Sequence, residues 1–252
     1  MPPATTPEIE IRADPGEVAD AAVEKIVAAA NDALRERGRF RIALAGGSTP
    51  ERTYHQLATP EQSARIDWTR TELWFGDERL VPHDDERSNF ALLQRSLLCN
   101  VAIPPENIFP VATDRGSAAA CAEEYANRLA EQFHLTRPGP PPRFDLILLG
   151  LGEDGHTASL FPGQPSLQET TAWTVGCPPG ALPPAVDRVS LTFPVLNAAR
   201  AVLFLVTGKQ KAAIVHKVLR ESPSVTEIPA AGVQPSHGTV TWLMDRAAAE
   251  RY

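Results

Sequence analysis

Cysteine is scarce in this sequence, and no two cysteines lie close together. Cys99, Cys121 and Cys177 form no CxxC motif. A disulfide framework or a thiolate metal site would need closely and regularly spaced cysteines. The six histidines also show no pair at the spacing typical of metal ligands. We therefore expect ordinary thiols in a reducing cytoplasm, no metal and no other cofactor.

Positive charge and long apolar runs are also lacking. The formal net charge is -7 at pH 7, and lysine and arginine form no block. Nucleic acid is not expected as the main partner, because binding its backbone needs a clustered basic face. No apolar run is long enough to span a bilayer, and the acidic, proline-containing segment 1–14 has no apolar signal core. These absences argue against membrane insertion and against secretion. We therefore expect a cytoplasmic location.

What the sequence does have is a repeated alternation of strand-like and helix-like segments in 252 residues, 43% of them hydrophobic. The predicted strands are 39–45, 71–76, 108–111, 144–149, 172–177, 188–193, 201–206 and 239–244. The predicted helices are 17–37, 51–58, 87–98, 116–135 and 209–220, with a helical turn at 194–199, a short helix from Asp245, and stiff proline loops at 137–143 and 178–184. This alternation predicts an α/β fold, a doubly wound and mostly parallel sheet with helices on both faces.

The segment 148–163 carries the most distinctive polar sequence. It follows the apolar run 144–149 and begins with three glycines within six residues. Glycine permits backbone angles and close approaches that other residues do not. A strand that ends in such a loop delivers polar side chains to the carboxyl edge of the sheet, where open α/β sheets bind ligands. Those side chains are Glu153, Asp154 and His156, which we interpret as functional rather than as a solvated turn.

The loop after the first predicted strand is rich in small polar residues and leads into a helix. Its backbone N–H groups and two hydroxyls would meet a phosphate at the positive end of that helix. A short loop whose serine or threonine caps the helix explains these residues equally well when they are taken alone. The candidate ligand residues of the loop are Gly46, Gly47, Ser48 and Thr49.

Two further strand ends carry charged residues. Asp77 and Arg79 follow strand 71–76, and arginine forms paired hydrogen bonds with a phosphate or a carboxylate; a surface ion pair is the simpler alternative. Lys209 follows strand 201–206 at the start of a helix, a position that disfavours a cation unless an anion is bound nearby. Because parallel strands end at one edge, these loops and the histidine loop are predicted to form one site.

These segments, taken together, resemble a known enzyme family. They are Leu44-Ala-Gly-Gly-Ser-Thr-Pro50, Gly76-Asp-Glu-Arg79 with Val81-Pro82 and Ser88-Asn89, the block from Gly152 to Gly163, Arg188, and Thr207-Gly208-Lys209. The sequence is similar to the glucosamine-6-phosphate isomerase/6-phosphogluconolactonase family from about residue 44 to the last predicted strand. The resemblance implies a single domain, 1–252, with the doubly wound fold of that family, on the lactonase side.

The resemblance implies hydrolysis of 6-phospho-D-glucono-1,5-lactone, the second step of the oxidative pentose phosphate pathway. A lactone is an activated ester, so one base and one water suffice, and no G-x-S-x-G nucleophile motif occurs. His156 is the expected base, oriented by Asp154 or Asp77. A phosphosugar is the expected partner, and the chain is expected to be a monomer, with a dimer as the alternative. The expected substrate-binding residues are Gly46, Gly47, Ser48, Thr49, Arg79, Ser88, Asn89, Arg188 and Lys209; which cation contacts phosphate stays open.

Two alternatives to a lactonase have weaker support in the sequence. A sugar-phosphate deaminase of the same fold would share Asp77 and His156, but its FNEPG motif is replaced by Ser-Leu-Phe-Pro-Gly, which puts Phe161 in place of a glutamate. Arg79 likewise stands where deaminases usually carry tyrosine. A sugar-phosphate-sensing domain of a transcription regulator would need a DNA-binding segment, and this acidic chain has no room for one before the first predicted strand.

Overall fold

The computed structural model describes residues 6–181 and 184–252. Within them the strands are β1 (Glu8–Arg12), β2 (Phe40–Leu44), β3 (Thr71–Phe75), β4 (Asp77–Arg79), β5 (Ile108–Phe109), β6 (Leu146–Leu149), β7 (Thr174–Cys177), β8 (Arg188–Leu191), β9 (Ala201–Val206) and β10 (Thr239–Asp245). The α-helices are α1 (Pro15–Arg37), α2 (Ser48–Leu57), α3 (Pro60–Ser63), α4 (Asn89–Ser96), α5 (Ala118–Phe133), α6 (Phe193–Leu196) and α7 (Ala212–Arg220). The predicted acidic segment 1–14 and proline loop 178–184 lie partly outside the described residues.

Seven strands form one parallel sheet in the order β1-β10-β9-β6-β2-β3-β5. The chain proceeds outward from β2 through β3 to β5. It then returns to place β6 on the other side of β2 and proceeds outward again through β9 and β10. The direction of winding therefore reverses between β2 and β6. At such a reversal an open α/β sheet has a crevice at the carboxyl ends of its strands, and ligands bind there.

Helices flank the sheet and bury their apolar faces against it, as α1 illustrates. The side chain of Asp14 caps its first turn by accepting hydrogen bonds from the N–H groups of Gly16 and Glu17, and Gly38 ends it with a left-handed φ of 73°. Its buried residues recur at helical spacing and include Val18, Ala22, Val23, Ile26, Ala30 and Ala33. The predicted mostly parallel α/β architecture is thus confirmed.

Other features of the fold differ from the sequence-based expectation. The prediction omitted β1, a short alternating strand that pairs with β10 at the edge of the sheet. It also treated 77–79 as a loop, whereas β4, β8 and β7 form a separate antiparallel sheet of three strands. The predicted helix after Asp245 was wrong, because residues 246–251 form turns. The Asp245 carboxylate accepts the N–H of Ala248 as a helix cap would, but only turns follow it. No helix in the described ranges combines the length and apolarity needed to cross a membrane.

Two buried tyrosines tie flanking helices to the carboxyl ends of the central strands. The hydroxyl of Tyr54, on α2, accepts from the N–H of Ala45 at 3.1 Å and donates to its carbonyl at 2.7 Å. The hydroxyl of Tyr125, on α5, accepts from the N–H of Phe75 at 2.8 Å. Each hydroxyl pairs a backbone group at the point where the strand stops and the polar loop begins, so the loop starts from a fixed position.

We expect Tyr54→Phe to lower the free energy of unfolding by about 1–3 kcal/mol, because it leaves the buried N–H and carbonyl of Ala45 without a partner. Urea denaturation measures the change. The control is Tyr252→Phe, which alters a ring packed on Arg220 and should change stability by less than about 0.5 kcal/mol. Equal stability of the two variants would show that the Tyr54 hydroxyl does not hold the end of β2.

Candidate active site

A pocket of about 250 Å³ opens at the reversal between β2 and β6. All four predicted polar segments contribute to its wall; one of them is β4 of the small antiparallel sheet, and β8 of the same sheet adds Arg188. The polar residues that line it include Ser48, Thr49, Asp77, Arg79, Glu153, His156, Arg188, Thr207 and Lys211, and glycines 46, 47, 150 and 152 complete the lining. The prediction that these strand ends meet at one edge of the sheet is confirmed.

His156 is held by its own loop. Its Nδ1 lies 2.6 Å from Oδ1 of Asp154, which also accepts the backbone N–H of His156. The loop is closed by the N–H of Gly152, which donates to the carbonyl of His156. A Cβ on Gly152 would lie 2.0 Å from Nδ1 of His156, so only glycine fits there. Because a carboxylate can only accept, Nδ1 carries the proton and Nε2 is left with a free lone pair.

The environment of Asp154 keeps this carboxylate charged. Burial alone would raise its pKa, but the hydrogen bond from the His156 ring and the charge of that ring when protonated outweigh the effect of burial, and the pKa of Asp154 is lowered. The pair therefore has an ionised acid behind the imidazole. Such an arrangement stabilises the ring when it takes up a proton.

Asp77 has different partners, although it lines the same pocket. Its Oδ2 accepts from Oγ of Ser159 at 2.6 Å, and its Oδ1 accepts from Nδ2 of Asn89 at 3.2 Å. Of the two carboxylates predicted to orient the histidine, the structure brings Asp154 to the ring. Asp77 instead links the loop after β6 to the start of α4.

Ser88 and Asn89 lie behind the pocket wall rather than in it. Both are buried, and Oγ of Ser88 caps α4 by accepting from the N–H groups of Phe90 and Ala91. Asn89 packs so closely on the glycine loop that a Cβ on Gly46 would lie 1.9 Å from its Oδ1. These two residues therefore support the pocket wall from behind and are not part of the pocket lining.

Sequence reasoning missed Glu78, which anchors this wall. Its buried carboxylate accepts hydrogen bonds from the N–H groups of Arg79, Asn89 and Phe90 at 2.7, 2.7 and 2.8 Å. Burial raises its pKa, and those backbone hydrogen bonds oppose the rise. The sequence offered only an acidic residue between Asp77 and Arg79, without a signal that it points away from the ligand.

Arg79 and Arg188 stand opposite each other on the paired strands β4 and β8. Nη1 of Arg79 donates to the carbonyl of Arg87, and Nη2 of Arg188 donates to that of Pro184. Among the described residues, the buried Nε atoms of both arginines have no hydrogen-bond partner. Burial lowers the pKa of Arg188, and nearby Asp77 opposes that effect. Like charges directly opposite are unfavourable, so an anion between them would relieve the repulsion.

Lys209, which the sequence predicts to bind substrate, is not among the residues that line the pocket. Its side chain is 77% exposed and pairs with Glu250. Lys211 lines the pocket instead, and burial lowers its pKa against the opposing charges of Glu153 and Asp154. The two lysines lie in one turn of 3₁₀ helix, where two residues correspond to a rotation of roughly 240°. Nothing in the amino-acid pattern indicated that this turn would precede α7.

The loop that carries Lys211 is fixed on both sides. The N–H of Gly208, a residue with a left-handed φ of 98°, donates to the carboxylate of Asp245 at 3.0 Å. The hydroxyls of Thr207 and Thr49 lie 2.7 Å apart and join this loop to the glycine loop. One hydroxyl hydrogen serves that bond, and the other remains available to a ligand. In residues 6–181 and 184–252, no three His, Cys, Asp or Glu side chains are grouped so as to hold a metal ion.

Comparison with known proteins identifies the family of this chain. The model of the family described as glucosamine-6-phosphate isomerases/6-phosphogluconolactonase matches residues 13–242. The chain is 41% identical over 215 residues to 6-phosphogluconolactonase of Rattus norvegicus, covering 84% of this chain and 80% of the relative. It is 35% identical over 250 residues to 6-phosphogluconolactonase of Streptomyces coelicolor, covering 98% and 95%.

Solved structures give the same result. The 6-phosphogluconolactonase from Trypanosoma cruzi superposes with a TM-score of 0.84 at 31% identity, covering 99% of this chain and 98% of that one. A monomeric glucosamine-6-phosphate deaminase superposes with a TM-score of 0.80 at 22% identity over 97% of this chain and all of the other, which shows a common fold. The predicted enzyme family and fold class are therefore confirmed. The chain belongs to the glucosamine-6-phosphate isomerase/6-phosphogluconolactonase family.

Proposed function

We propose that the protein hydrolyses 6-phospho-D-glucono-1,5-lactone to 6-phospho-D-gluconate, the second step of the oxidative pentose phosphate pathway. The observation that carries the proposal is the Asp154–His156 pair, in which His156 lines a pocket that also contains three cationic side chains. The similar proteins named as 6-phosphogluconolactonases support the choice of substrate. The cytoplasmic location, the monomeric state and the single domain over 1–252 stay predictions.

The proposed reaction needs one base and one water. Nε2 of His156 takes a proton from the water as its oxygen attacks C1 of the lactone, and Asp154 stabilises the resulting imidazolium. The negative charge that develops on the carbonyl oxygen is held by the arginines or by N–H groups of the glycine loops. When the ring C1–O bond breaks, the imidazolium returns its proton to the departing C5 oxygen. The products are a carboxylate and a free hydroxyl, with the water's second proton released.

We place the phosphate of the substrate at the glycine loop. The N-terminus of α2, a helix of ten residues, begins there with Gly47 as its cap, and N–H groups at a helix N-terminus bind anions. Lys211 and the Thr49–Thr207 hydroxyl pair add a charge and a free hydrogen-bond donor. This leaves Arg79 and Arg188, which stand opposite each other on β4 and β8, for the end of the substrate that becomes a carboxylate.

The direct test of the proposed function is a pair of assays on the purified protein. Freshly prepared 6-phosphogluconolactone is supplied at low pH, where spontaneous hydrolysis is slow, and acid release is followed; glucosamine 6-phosphate is supplied separately, and ammonia is followed. We expect rapid acid release and no ammonia, because Phe161 can neither transfer a proton nor pair with an imidazole as a glutamate does. Ammonia release without lactone hydrolysis would contradict the proposal.

The second prediction concerns the base. His156→Ala should lower kcat by about 10²–10⁴-fold, the usual contribution of a general base, and leave the fold intact. Steady-state kinetics and thermal unfolding measure the two effects. The matched control is His237→Ala, at an exposed position outside the pocket, which should retain full activity. A folded His156→Ala protein with wild-type kcat would show that another group activates the water.

The third prediction separates the two neighbouring lysines. Lys211→Ala should weaken binding of 6-phosphogluconate by about 10- to 100-fold, because a charge-assisted contact to a partly buried anion contributes about 1.5–3 kcal/mol. Lys209→Ala, the matched control, should bind as the wild type does. Calorimetric titration with 6-phosphogluconate and with unphosphorylated gluconate measures the difference. The phosphate lies elsewhere if Lys211→Ala weakens both ligands equally.

A further inference from the structure

Phe161 contacts two functional side chains at once. It follows His156 in the same loop and is only 2% exposed. The centroid of its ring lies 4.6 Å from that of the His156 imidazole, with the two planes inclined by 45°. The guanidinium carbon of Arg188 lies 5.0 Å from the same ring centroid, over the ring. Phe161 is thus in contact with the proposed base and with a proposed substrate-binding cation.

The ring of Phe161 has little freedom to move. A Cβ on Gly180 would lie 2.4 Å from its Cε1, so the backbone of the proline loop packs directly against the ring. The loop that carries it is closed by a bridge between Thr157 and Leu160 and by the hydroxyl of Thr157, which donates to the carbonyl of Gly150. The ring is therefore a rigid surface for its two neighbours.

Both neighbours carry positive charge during the proposed reaction. Arg188 is charged throughout, and it stands opposite a second cation, Arg79, across the strand pair. His156 becomes charged when it accepts the proton of water. The face of an aromatic ring attracts cations, and the attraction is stronger where water is excluded. A leucine of similar volume would fill the space without this attraction.

We propose that Phe161 is a positioning residue that holds Arg188 in place and stabilises the imidazolium form of His156 through the π face of its ring. This proposal rests on the proposed lactonase function. It gives Phe161 a role that depends on the electrons of the ring as well as on its shape. Those two contributions can be separated, because fluorine withdraws electron density from the face and changes the size of the ring very little.

The experiment replaces Phe161 site-specifically with phenylalanines that carry one, two, three and five fluorines. Lactonase kcat/KM is measured for each protein, and thermal unfolding confirms that it is folded. We expect kcat/KM to fall stepwise with each added fluorine, by roughly 2- to 30-fold over the series, which corresponds to the usual strength of a cation–π contact. Phe161→Leu should lose at least as much activity as the pentafluorinated protein does.

The matched control is the same series at Phe144, which is fully buried against Trp74 and Phe133. Fluorination there should leave kcat/KM unchanged. If the unmodified protein is active and the Phe161 series is flat, the ring acts by packing alone, and this inference is wrong while the proposed function stands. If the unmodified protein has no lactonase activity, the proposed function is wrong, and the inference fails with it.

Discussion

The site depends on one constraint, the adjacency of β2 and β6 in the sheet with the winding of the chain reversed between them. This reversal opens a crevice between the loops that follow the two strands. One loop leads into α2 and offers N–H groups to an anion. The other presents His156 with its Nδ1 already bound to Asp154. The proposed phosphate site and the proposed base therefore lie side by side before any substrate arrives, which reduces the ordering that catalysis needs.

The pocket wall is held by buried polar groups that do not line the pocket. The Glu78 carboxylate accepts two backbone N–H groups at the start of α4 and that of Arg79 on β4, and Asp245 fixes the loop that turns Lys211 inward. Tyr54 anchors the end of β2 immediately before the glycine loop. Each of these groups has its hydrogen bonds made, so the loops are rigid where they meet the ligand.

The fold class and the histidine loop could be predicted because their signals are local: an apolar run, closely spaced glycines and an acid two residues before a histidine. The direction in which the Lys211 side chain points could not be predicted, because it depends on the hydrogen bond from Gly208 to Asp245, 37 residues further on. The hydrogen bond between Asp77 and Ser159 could not be predicted either, since the two residues are separated by 82 positions in the sequence. The role of 77–79 as a strand was missed for the same reason, because β4 is short and exists only through its pairing with β8.

In the proposed mode of binding, the phosphosugar has its phosphate at the glycine loop and C1 at His156. A crystal structure of the wild-type protein with 6-phosphogluconate tests this most directly. We expect the phosphate to contact the N–H groups of Gly47 to Thr49 and Nζ of Lys211. We also expect a carboxylate oxygen on C1 at about 3 Å from Nε2 of His156. A phosphate bound between Arg79 and Arg188, with C1 directed toward Lys211, would contradict this mode of binding.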